Sequence, residues 1–234
     1  FGLFMGAKSD IEDCTVGLFG VPYDGTTSFR PGTRFGPSAI RENSIGLETY
    51  CPQLKIDLED ISFADLGLLE IPHGAPEPII KKVKQATKKL LNLGLKPLIL
   101  GGEHSITSGA ISAMTEKYKD LILVQLDAHA DLRDEWLGSK HNHACAMRRC
   151  LEVLPSKNLF QLAIRSGTAK EFKELRQENR LIIHEAGKKS SHLEKILEPF
   201  LGHPVYLTID LDWFDPSILP GTGTPEPGGF FWQD

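Results

Sequence analysis

The chain has 234 residues, of which 41% are hydrophobic and 24% are charged, and its formal net charge is −5. This balance predicts one domain, residues 1–234, with a sizeable core, and the negative charge argues against nucleic acid or an anionic membrane as partner. No apolar run approaches the roughly 20 residues of a membrane span, and we find no signal-peptide pattern, so we expect a cytoplasmic protein. The four cysteines lack C-x-x-C spacing, which indicates free thiols.

Predicted strands and helices alternate along the chain. Apolar runs rich in β-forming residues predict the strands Val16–Val21, Ser62–Leu66, Pro97–Leu100, Leu121–Leu126, Asn158–Ile164, Leu181–Ile183 and Val205–Ile209. Helical spacing predicts the helices Pro37–Ile45, Pro76–Leu93, Ser105–Lys117, Ala144–Leu154, Ala169–Gln177 and Ser190–Leu201. We therefore expect an α/β fold with three layers, α-β-α, around a mainly parallel sheet.

Two segments rich in glycine and proline interrupt this alternation. They cover Tyr23–Pro37 and the stretch from Pro216 to Gly229, and each comes after a predicted strand. Loops in such places often carry binding residues, so we expect both to border a functional site.

The predicted strand Leu121–Leu126 runs into an Asp-x-His-x-Asp motif, Asp127–Asp131. In extended backbone alternate side chains share a face, which would place Asp127, His129 and Asp131 on one side. Holding three potential metal ligands together on one face is energetically unfavourable unless a cation binds between them. The motif therefore indicates a metal site.

Two other predicted strands end in similar residues. Asp210 and Asp212 follow Val205–Ile209, and a glycine pair followed by His104 comes after Pro97–Leu100. Ligands of open parallel sheets bind outside the carboxyl ends of the strands, so we expect all three ends to converge on one crevice.

Together the three strand ends supply four carboxylates and two imidazoles: Asp127, Asp131, Asp210, Asp212, His104 and His129. Without cations the crowded carboxylates would have strongly raised pKa values, whereas two divalent ions would bring their formal charge to zero. Oxygen-rich ligands favour a hard ion such as manganese. Two ions about 3.5 to 4 Å apart can hold one water and supply hydroxide at neutral pH, which is a hydrolase design. His141 and His143, in the following loop, are candidates for moving a proton.

Three segments resemble the signature motifs of the ureohydrolases, the arginase and agmatinase family: Gly101–Ser105, Asp127–Asp131 and Asp210–Pro216. The resemblance runs from Gly20 to Gly229, and the loops Ser28–Pro37 and Pro220–Glu226 are most similar to agmatinases. It implies an enzyme with two Mn²⁺ per chain that hydrolyses a guanidinium group to urea and an amine. It also implies a homotrimer or homohexamer.

The resemblance assigns roles to particular residues. It implies that the six carboxylates and imidazoles named above are the metal ligands, and that the proton shuttle is His143 in preference to His141. The catalytic residues we expect are His143 and the ligand Asp131. A carboxylate six residues after Gly228 would bind the guanidinium, and this position is Asp234, where the family usually has glutamate. We also expect the domain to continue through a further C-terminal strand and helices.

The identity of the substrate stays open between several guanidino compounds. Arginases carry asparagine at the position of Arg133, where it helps to hold the amino-acid end of arginine, so Arg133 argues for a decarboxylated substrate such as agmatine, with putrescine as product. Arg133 could instead pair with a carboxylate of guanidinobutyrate or formiminoglutamate. Asp134 and Glu135 leave room for an amine-binding site. Arginine as substrate, or a non-catalytic homologue that binds metal or polyamine, are the remaining alternatives.

Overall fold

The structure is a computed structural model that describes residues 2–178, 181–182 and 198–234. Its strands are β1 (Val16–Gly20), β2 (Tyr50–Cys51), β3 (Ile56–Asp57), β4 (Phe63–Leu68), β5 (Lys96–Leu100), β6 (Ile122–Leu126), β7 (Leu159–Leu162), β8 (Leu181–Ile182) and β9 (Val205–Ile209). Its α-helices are α1 (Gly36–Ser44), α2 (Pro76–Asn92), α3 (Thr107–Lys117), α4 (Ala146–Cys150) and α5 (Ala169–Gln177). Within the described ranges, none of these helices has the length and apolar character needed to cross a bilayer.

The strands form two parallel sheets and a small hairpin. One sheet has the order β4-β1-β5 and the other has the order β8-β7-β6-β9, and every neighbouring pair in both is parallel. The antiparallel pair β2-β3 lies apart from them. Parallel strands joined through helices confirm the predicted α/β class.

Both faces of β6 are covered, as a layered fold requires. Leu123 packs into one apolar cluster with Met147 of α4, while Ile122 and Val124 pack into another cluster with Phe200. Alternate residues of a strand point to opposite faces, so β6 lies in the middle layer. A third cluster joins β1 to Ile79, Val83 and Leu90, the buried stripe of α2.

The bounds of the elements agree closely with the prediction in most places. The helix predicted over Ala144–Leu154 is too long, because α4 ends at Cys150 and a turn leads to Pro155, which disfavours helical backbone in the residue before it. The hairpin β2-β3 was not predicted, since two-residue strands carry no detectable period. The predicted helix Ser190–Leu201 lies mostly outside the described residues, as does Ile183. Continuation of the domain stays a prediction.

The sheets bring the ends of β5, β6 and β9 together. β5 and β9 are each the last strand of their sheet within the described part of the chain. The register pairs Leu126 of β6 with Ile209 of β9, so the residues after both strands emerge side by side. The residues that end β5 and β9 line the same cavity. This edge carries the candidate site.

Candidate metal centre

Asp127 comes directly after β6 and lies at the centre of the site, with 1% of its surface exposed. Its carboxylate is held on both oxygens: Gln125 Nε2 donates to Oδ2 at 2.6 Å, and the backbone amide of His129 donates to Oδ1 at 2.6 Å. These bonds fix its orientation at the strand end. A carboxylate fixed in this way can present both oxygens to neighbouring groups.

Asp131 reaches the site through a turn and not through the predicted pleat. The strand ends at Leu126, and Asp131 has a φ of 51°, in the left-handed region that non-glycine residues rarely adopt. Its carbonyl accepts hydrogen bonds from the backbone amides of Met147 and Arg148 at 3.0 and 3.1 Å. The beginning of α4 therefore holds the turn and directs the Asp131 side chain into the cluster.

Asp210 and Asp212 follow β9, but they also depart from an extended strand. The backbone amide of Asp210 donates to the Leu126 carbonyl at 2.9 Å, so the first residue after β9 stays tied to β6. Asp210 then caps a short 3₁₀ helix by accepting from the backbone amide of Asp212 at 3.0 Å. Asp212 in turn accepts from the backbone amide of Ala128 at 3.1 Å. The two motifs are thus bonded to each other.

His104 opens the 3₁₀ helix that precedes α3, just after the glycine pair. A Cβ on Gly102 would lie 1.9 Å from the carbonyl oxygen of Tyr23, so only glycine fits this close passage of two backbones. His104 Nε2 lies 2.9 Å from Thr208 Oγ1 on β9, which directs Nδ1 towards the aspartates.

Two groups of potential ligands share Asp127. The groups are His104, Asp127 and Asp210, and Asp127, His129 and Asp212, and within each group the ligand atoms lie within 4.8 Å of one another. Asp131 joins the first group, because its Oδ2 lies 3.1 Å from His104 Nδ1. The structure therefore brings together the six residues that the sequence predicts as ligands, in two groups that meet at one carboxylate.

The carboxylates of the cluster have strongly perturbed pKa values. Burial and the neighbouring Asp127 raise the pKa of Asp131 to about 6, and burial with adjacent carboxylates raises the pKa of Asp210 well above its ordinary value. Burial also opposes ionisation of Asp127, but the close imidazoles of His104 and His129 outweigh it and hold the pKa of Asp127 below its usual range. The cluster thus concentrates negative charge around Asp127.

The pKa values of the two imidazoles are raised by the neighbouring carboxylates. Burial lowers the pKa of each, but the contacts with Asp127 and Asp131 outweigh it and raise the pKa of His104 well above its ordinary value. In the same way, Asp127 and Asp212 raise the pKa of His129 to about 11. Protons on both imidazoles therefore balance the aspartates when no cation does so.

The donor set fits two divalent cations. His104 Nδ1 is buried and makes no hydrogen bond of acceptable geometry with any described residue, although it lies 2.9 Å from Asp127 Oδ2. An aligned lone pair among carboxylate oxygens is what a metal requires of a ligand. On the far side of the second imidazole, His129 Nε2 lies 3.7 Å from Glu226 Oε1. Four carboxylates would balance the charge of two such ions.

A cavity of about 970 Å³ opens over the cluster. Its lining includes all six candidate ligands together with Arg133 and His143. The loop after β1 and the loop after β9 form much of its wall, as predicted from their glycine and proline content. The cavity gives a small molecule access to the ligands.

His143 lies on the wall of this cavity and is half-buried. Its Nδ1 lies 3.3 Å from Thr26 Oγ1, and its Nε2 lies 3.3 Å from Ser28 Oγ. Burial lowers the pKa of His143, and the two charged imidazoles of the cluster lower it further. His143 is therefore a neutral base at pH 7, close to the ligands without touching them.

The two residues expected to bind substrate lie in different places. Arg133 lines the cavity, and its guanidinium carbon lies 3.7 Å from the centre of the Trp136 ring, in a cation–π contact. Asp234 is not among the described residues of the cavity lining, and its Oδ2 accepts from the backbone amide of Phe231 at 2.8 Å. A substrate contact of Asp234 stays a prediction.

Four residues of the surroundings were not among the site residues named from the sequence, although Thr26 and Glu226 lie in the two loops expected to border the site and Glu103 adjoins the ligand His104. Glu226 approaches His129, while Thr26 and the buried Glu103 lie behind His143. Arg165 donates to backbone carbonyls of Asp212 at 2.6 Å and Glu226 at 2.8 Å. These contacts join loops that are far apart in the chain, so no local sequence pattern predicts them. For Glu103, the one signal in the sequence was its position next to His104.

Comparison with known proteins decides the family. The family model of the arginase family matches residues 14–234. The chain belongs to the arginase family. An agmatinase of Bacillus subtilis (strain 168) is 40% identical over 227 residues, which are 97% of this chain and 78% of that protein. These findings confirm the resemblance to ureohydrolases and make the chain a hydrolase of that class.

Two further relatives widen the range of named activities. An N(1)-aminopropylagmatine ureohydrolase of Thermococcus kodakarensis is 39% identical over 219 residues, covering 92% of this chain and 74% of that protein. The crystal structure of the agmatine ureohydrolase of Thermoplasma volcanium superposes with a TM-score of 0.86 at 35% identity, covering 98% of this chain and 78% of that one. The predicted fold class is confirmed by this similarity.

Proposed function

We propose that the chain is a binuclear manganese hydrolase that cleaves agmatine to putrescine and urea. The observation that carries the proposal is the pair of ligand groups that share Asp127 at the floor of an open cavity. Relatives named as agmatinases at 36–40% identity support agmatine as the substrate. The oxygen-rich donor set supports manganese over a metal that prefers thiolate.

The proposal assigns the ligands by their groups. His104, Asp131 and Asp210 would hold one ion, His129 and Asp212 the other, and Asp127 both. Two divalent cations bound there would supply Lewis-acid activation of a water at neutral pH. Buried hydrogen bonds from Gln125 and the backbone keep the ligands in place before any ion binds.

His143 would carry the proton that the reaction must move. Hydrolysis of a guanidinium takes a proton from the attacking water and gives one to the leaving amine. The neutral imidazole of His143 faces the same cavity as the ligands and can accept the first proton and release it to the amine.

One observation favours a second substrate. The relative from Thermococcus kodakarensis is named for N(1)-aminopropylagmatine and is nearly as similar as the agmatinase of Bacillus subtilis. A cavity of about 970 Å³ has room for the longer amine. Arg133 disfavours a second positive charge beside it, and the neighbouring Asp134 is paired with Arg149 at 2.7 Å and is not among the described residues that line the cavity. The substrates with a carboxylate, guanidinobutyrate, formiminoglutamate and arginine, would pair with the N–H groups at the edge of the Arg133 guanidinium, whose face stacks on Trp136.

The test combines metal analysis with product release. We expect the full-length protein to bind two Mn²⁺ per chain and to release urea from agmatine, with N(1)-aminopropylagmatine, arginine and guanidinobutyrate assayed in parallel and formamide followed for formiminoglutamate. Manganese-loaded protein that released no product from any of these compounds would contradict the proposal. It would favour the alternative of a non-catalytic homologue.

Substitution of the shared ligand gives a sharper test. Asp127→Asn keeps the size of the side chain but removes the charge, and we expect fewer than two ions per chain and a loss of activity above about 100-fold, since even indirect partners of a ligand contribute 10–100-fold. Asp120→Asn, at an exposed carboxylate paired with His203 before β6, is the matched control and should retain both ions. Two ions in Asp127→Asn would refute the shared-ligand assignment.

The remaining expectations belong to the same proposal. A homotrimer or homohexamer, implied by the resemblance, and a cytoplasmic location, expected from the sequence pattern, both stay predictions. Sedimentation of the full-length protein at several concentrations would measure the assembly.

A further inference from the structure

A chain of hydrogen bonds joins Glu103, through Thr26, to His143. Its members come from three loops: Thr26 follows β1, Glu103 follows β5, and His143 opens the short helix before α4. Glu103 is 5% exposed and does not contact the cavity's candidate ligands through any hydrogen bond within the described residues. The mechanism proposed above does not use it.

The donors and acceptors around Glu103 leave one arrangement. Its Oε2 accepts from the backbone amide of Thr26 at 2.7 Å, and its Oε1 accepts from the hydroxyls of Thr26 and Ser105. Glu103 is the acceptor in all three bonds, so the single hydroxyl proton of Thr26 is directed to Glu103. Thr26 has no other proton to give on its side chain.

Thr26 Oγ1 must therefore act as an acceptor towards His143. It accepts from the backbone amide of His143 at 3.0 Å, and the remaining contact is with His143 Nδ1 at 3.3 Å. Because the Thr26 hydroxyl already donates its proton to Glu103, the hydrogen of the contact with His143 must come from Nδ1. We infer that Glu103, acting through Thr26, fixes His143 as the Nδ1-protonated tautomer and leaves the Nε2 lone pair free towards the cavity.

This tautomer suits the role given to His143, and the inference rests on the proposed function in that respect. Nε2 lies 3.3 Å from Ser28 Oγ, which can donate to it until a proton arrives from the reaction. A proton taken up at Nε2 gives an imidazolium that returns the same proton to the leaving amine. In the other tautomer Nε2 already carries a hydrogen and cannot accept one. Thr26 and Glu103 are thus positioning residues.

The two positions offer variants with opposite expectations. Thr26→Ser keeps the hydroxyl and should keep the tautomer, whereas Thr26→Val has a similar shape and no acceptor. Glu103→Gln reverses the direction of the hydrogen bond with Thr26 Oγ1. The amide oxygen of the glutamine must face the backbone amide of Thr26, so its NH₂ group faces Thr26 Oγ1 and donates to it. The freed hydroxyl proton of Thr26 can then point at Nδ1 and favour hydrogen on Nε2.

The test is ¹⁵N NMR of histidine-labelled full-length protein loaded with Mg²⁺, a diamagnetic ion, with His143→Asn used to assign the signal. Wild type and Thr26→Ser should show a protonated Nδ1 and an unprotonated Nε2. Thr26→Val and Glu103→Gln should shift population to the Nε2-protonated form, and kcat should fall by more than about tenfold, a part of the 10²–10⁴-fold that a positioned base contributes. KM should change little, because the variants act on the position of a proton on His143 and leave the metal ligands and Arg133 unchanged.

The inference is overturned if wild-type His143 carries its proton on Nε2, or if the signals of Thr26→Val and Glu103→Gln match those of wild type. A spectrum measured on the folded variant separates a change of tautomer from a loss of folding, and Thr26→Ser serves as the matched control. Failure of the proposed function looks different: the manganese-loaded wild type would then release no product from any of the compounds assayed, whatever tautomer the His143 signal reports.

Discussion

Asp127 shows how much of this site depends on single side chains. Both of its oxygens are held by donors from its own strand end, and the two ligand groups meet at it. A carboxylate that is buried, ionised and shared by two imidazoles leaves little freedom for the cluster to rearrange. Substitutions around Asp127 should therefore alter metal binding, while substitutions at the cavity wall should alter proton transfer.

His143 allows these two kinds of effect to be separated. We predict that His143→Asn lowers kcat by about 10²–10⁴-fold, the usual contribution of a positioned acid or base, while the protein still binds two ions per chain. Asparagine can accept the contact from Ser28 but cannot carry a proton between water and amine. Steady-state kinetics and metal analysis of the same preparation measure both quantities. A variant that lost its metal together with its activity would place His143 among the ligands.

The sequence predicts the ligand residues much better than it predicts their geometry. Asp127, Asp210 and His104 stand out because each follows an apolar strand, and the fold brings parallel strand ends together. The pleat predicted for Asp127–Asp131 is absent, because the turn at Asp131 depends on amides contributed by α4. The roles of Thr26 and Glu226 were missed for a similar reason, since their partners are far away in the chain.

At the scale of elements, Arg165 connects the loops that carry the second ligand group. Its guanidinium donates to the backbone carbonyls of Asp212, Trp213 and Glu226, at distances of 2.6, 3.2 and 2.8 Å. The planar fork of arginine reaches several carbonyls at once, which a lysine ammonium cannot do. The loop after β7 thereby holds the 3₁₀ helix after β9 and the segment next to His129.

We predict that Arg165→Lys weakens binding of one ion by about 10–100-fold, the range found for partners that orient ligands, and leaves the other ion bound. The affected ion is the one assigned to His129 and Asp212, since these are the ligands nearest to the loops that Arg165 joins. Titration with Mn²⁺ followed by calorimetry would resolve the two affinities. Equal weakening of both sites would show that the loops act on the cluster as a whole.

At the scale of the whole molecule, the cluster couples metal binding to protons and to stability. Without cations, His129 has a pKa of about 11 and the pKa of His104 is also well raised, so both imidazoles carry protons at neutral pH. A raised histidine pKa stabilises the metal-free fold fully below the unfolded pKa of 6.5, and this stabilisation is lost as the pH rises through about 11. Metal ions and protons therefore compete for the same cluster of imidazoles and carboxylates in the folded chain.

Each metal ion that binds must displace the proton of its histidine, so apparent affinity should rise with pH between 6 and 9. Asp131, with a pKa of about 6, adds to the protons released at the lower end of this range. Calorimetry of Mn²⁺ binding in buffers with different ionisation enthalpies should show a net release of protons at pH 8, from the imidazoles and from Asp210, whose pKa is also raised. In thermal unfolding, free Mn²⁺ at 100 times the Kd should stabilise the fold by about 2.7 kcal/mol, and a chelator should remove this gain. A binding enthalpy that did not change with the buffer would contradict the competition, because no proton would then leave the cluster when the ions enter it.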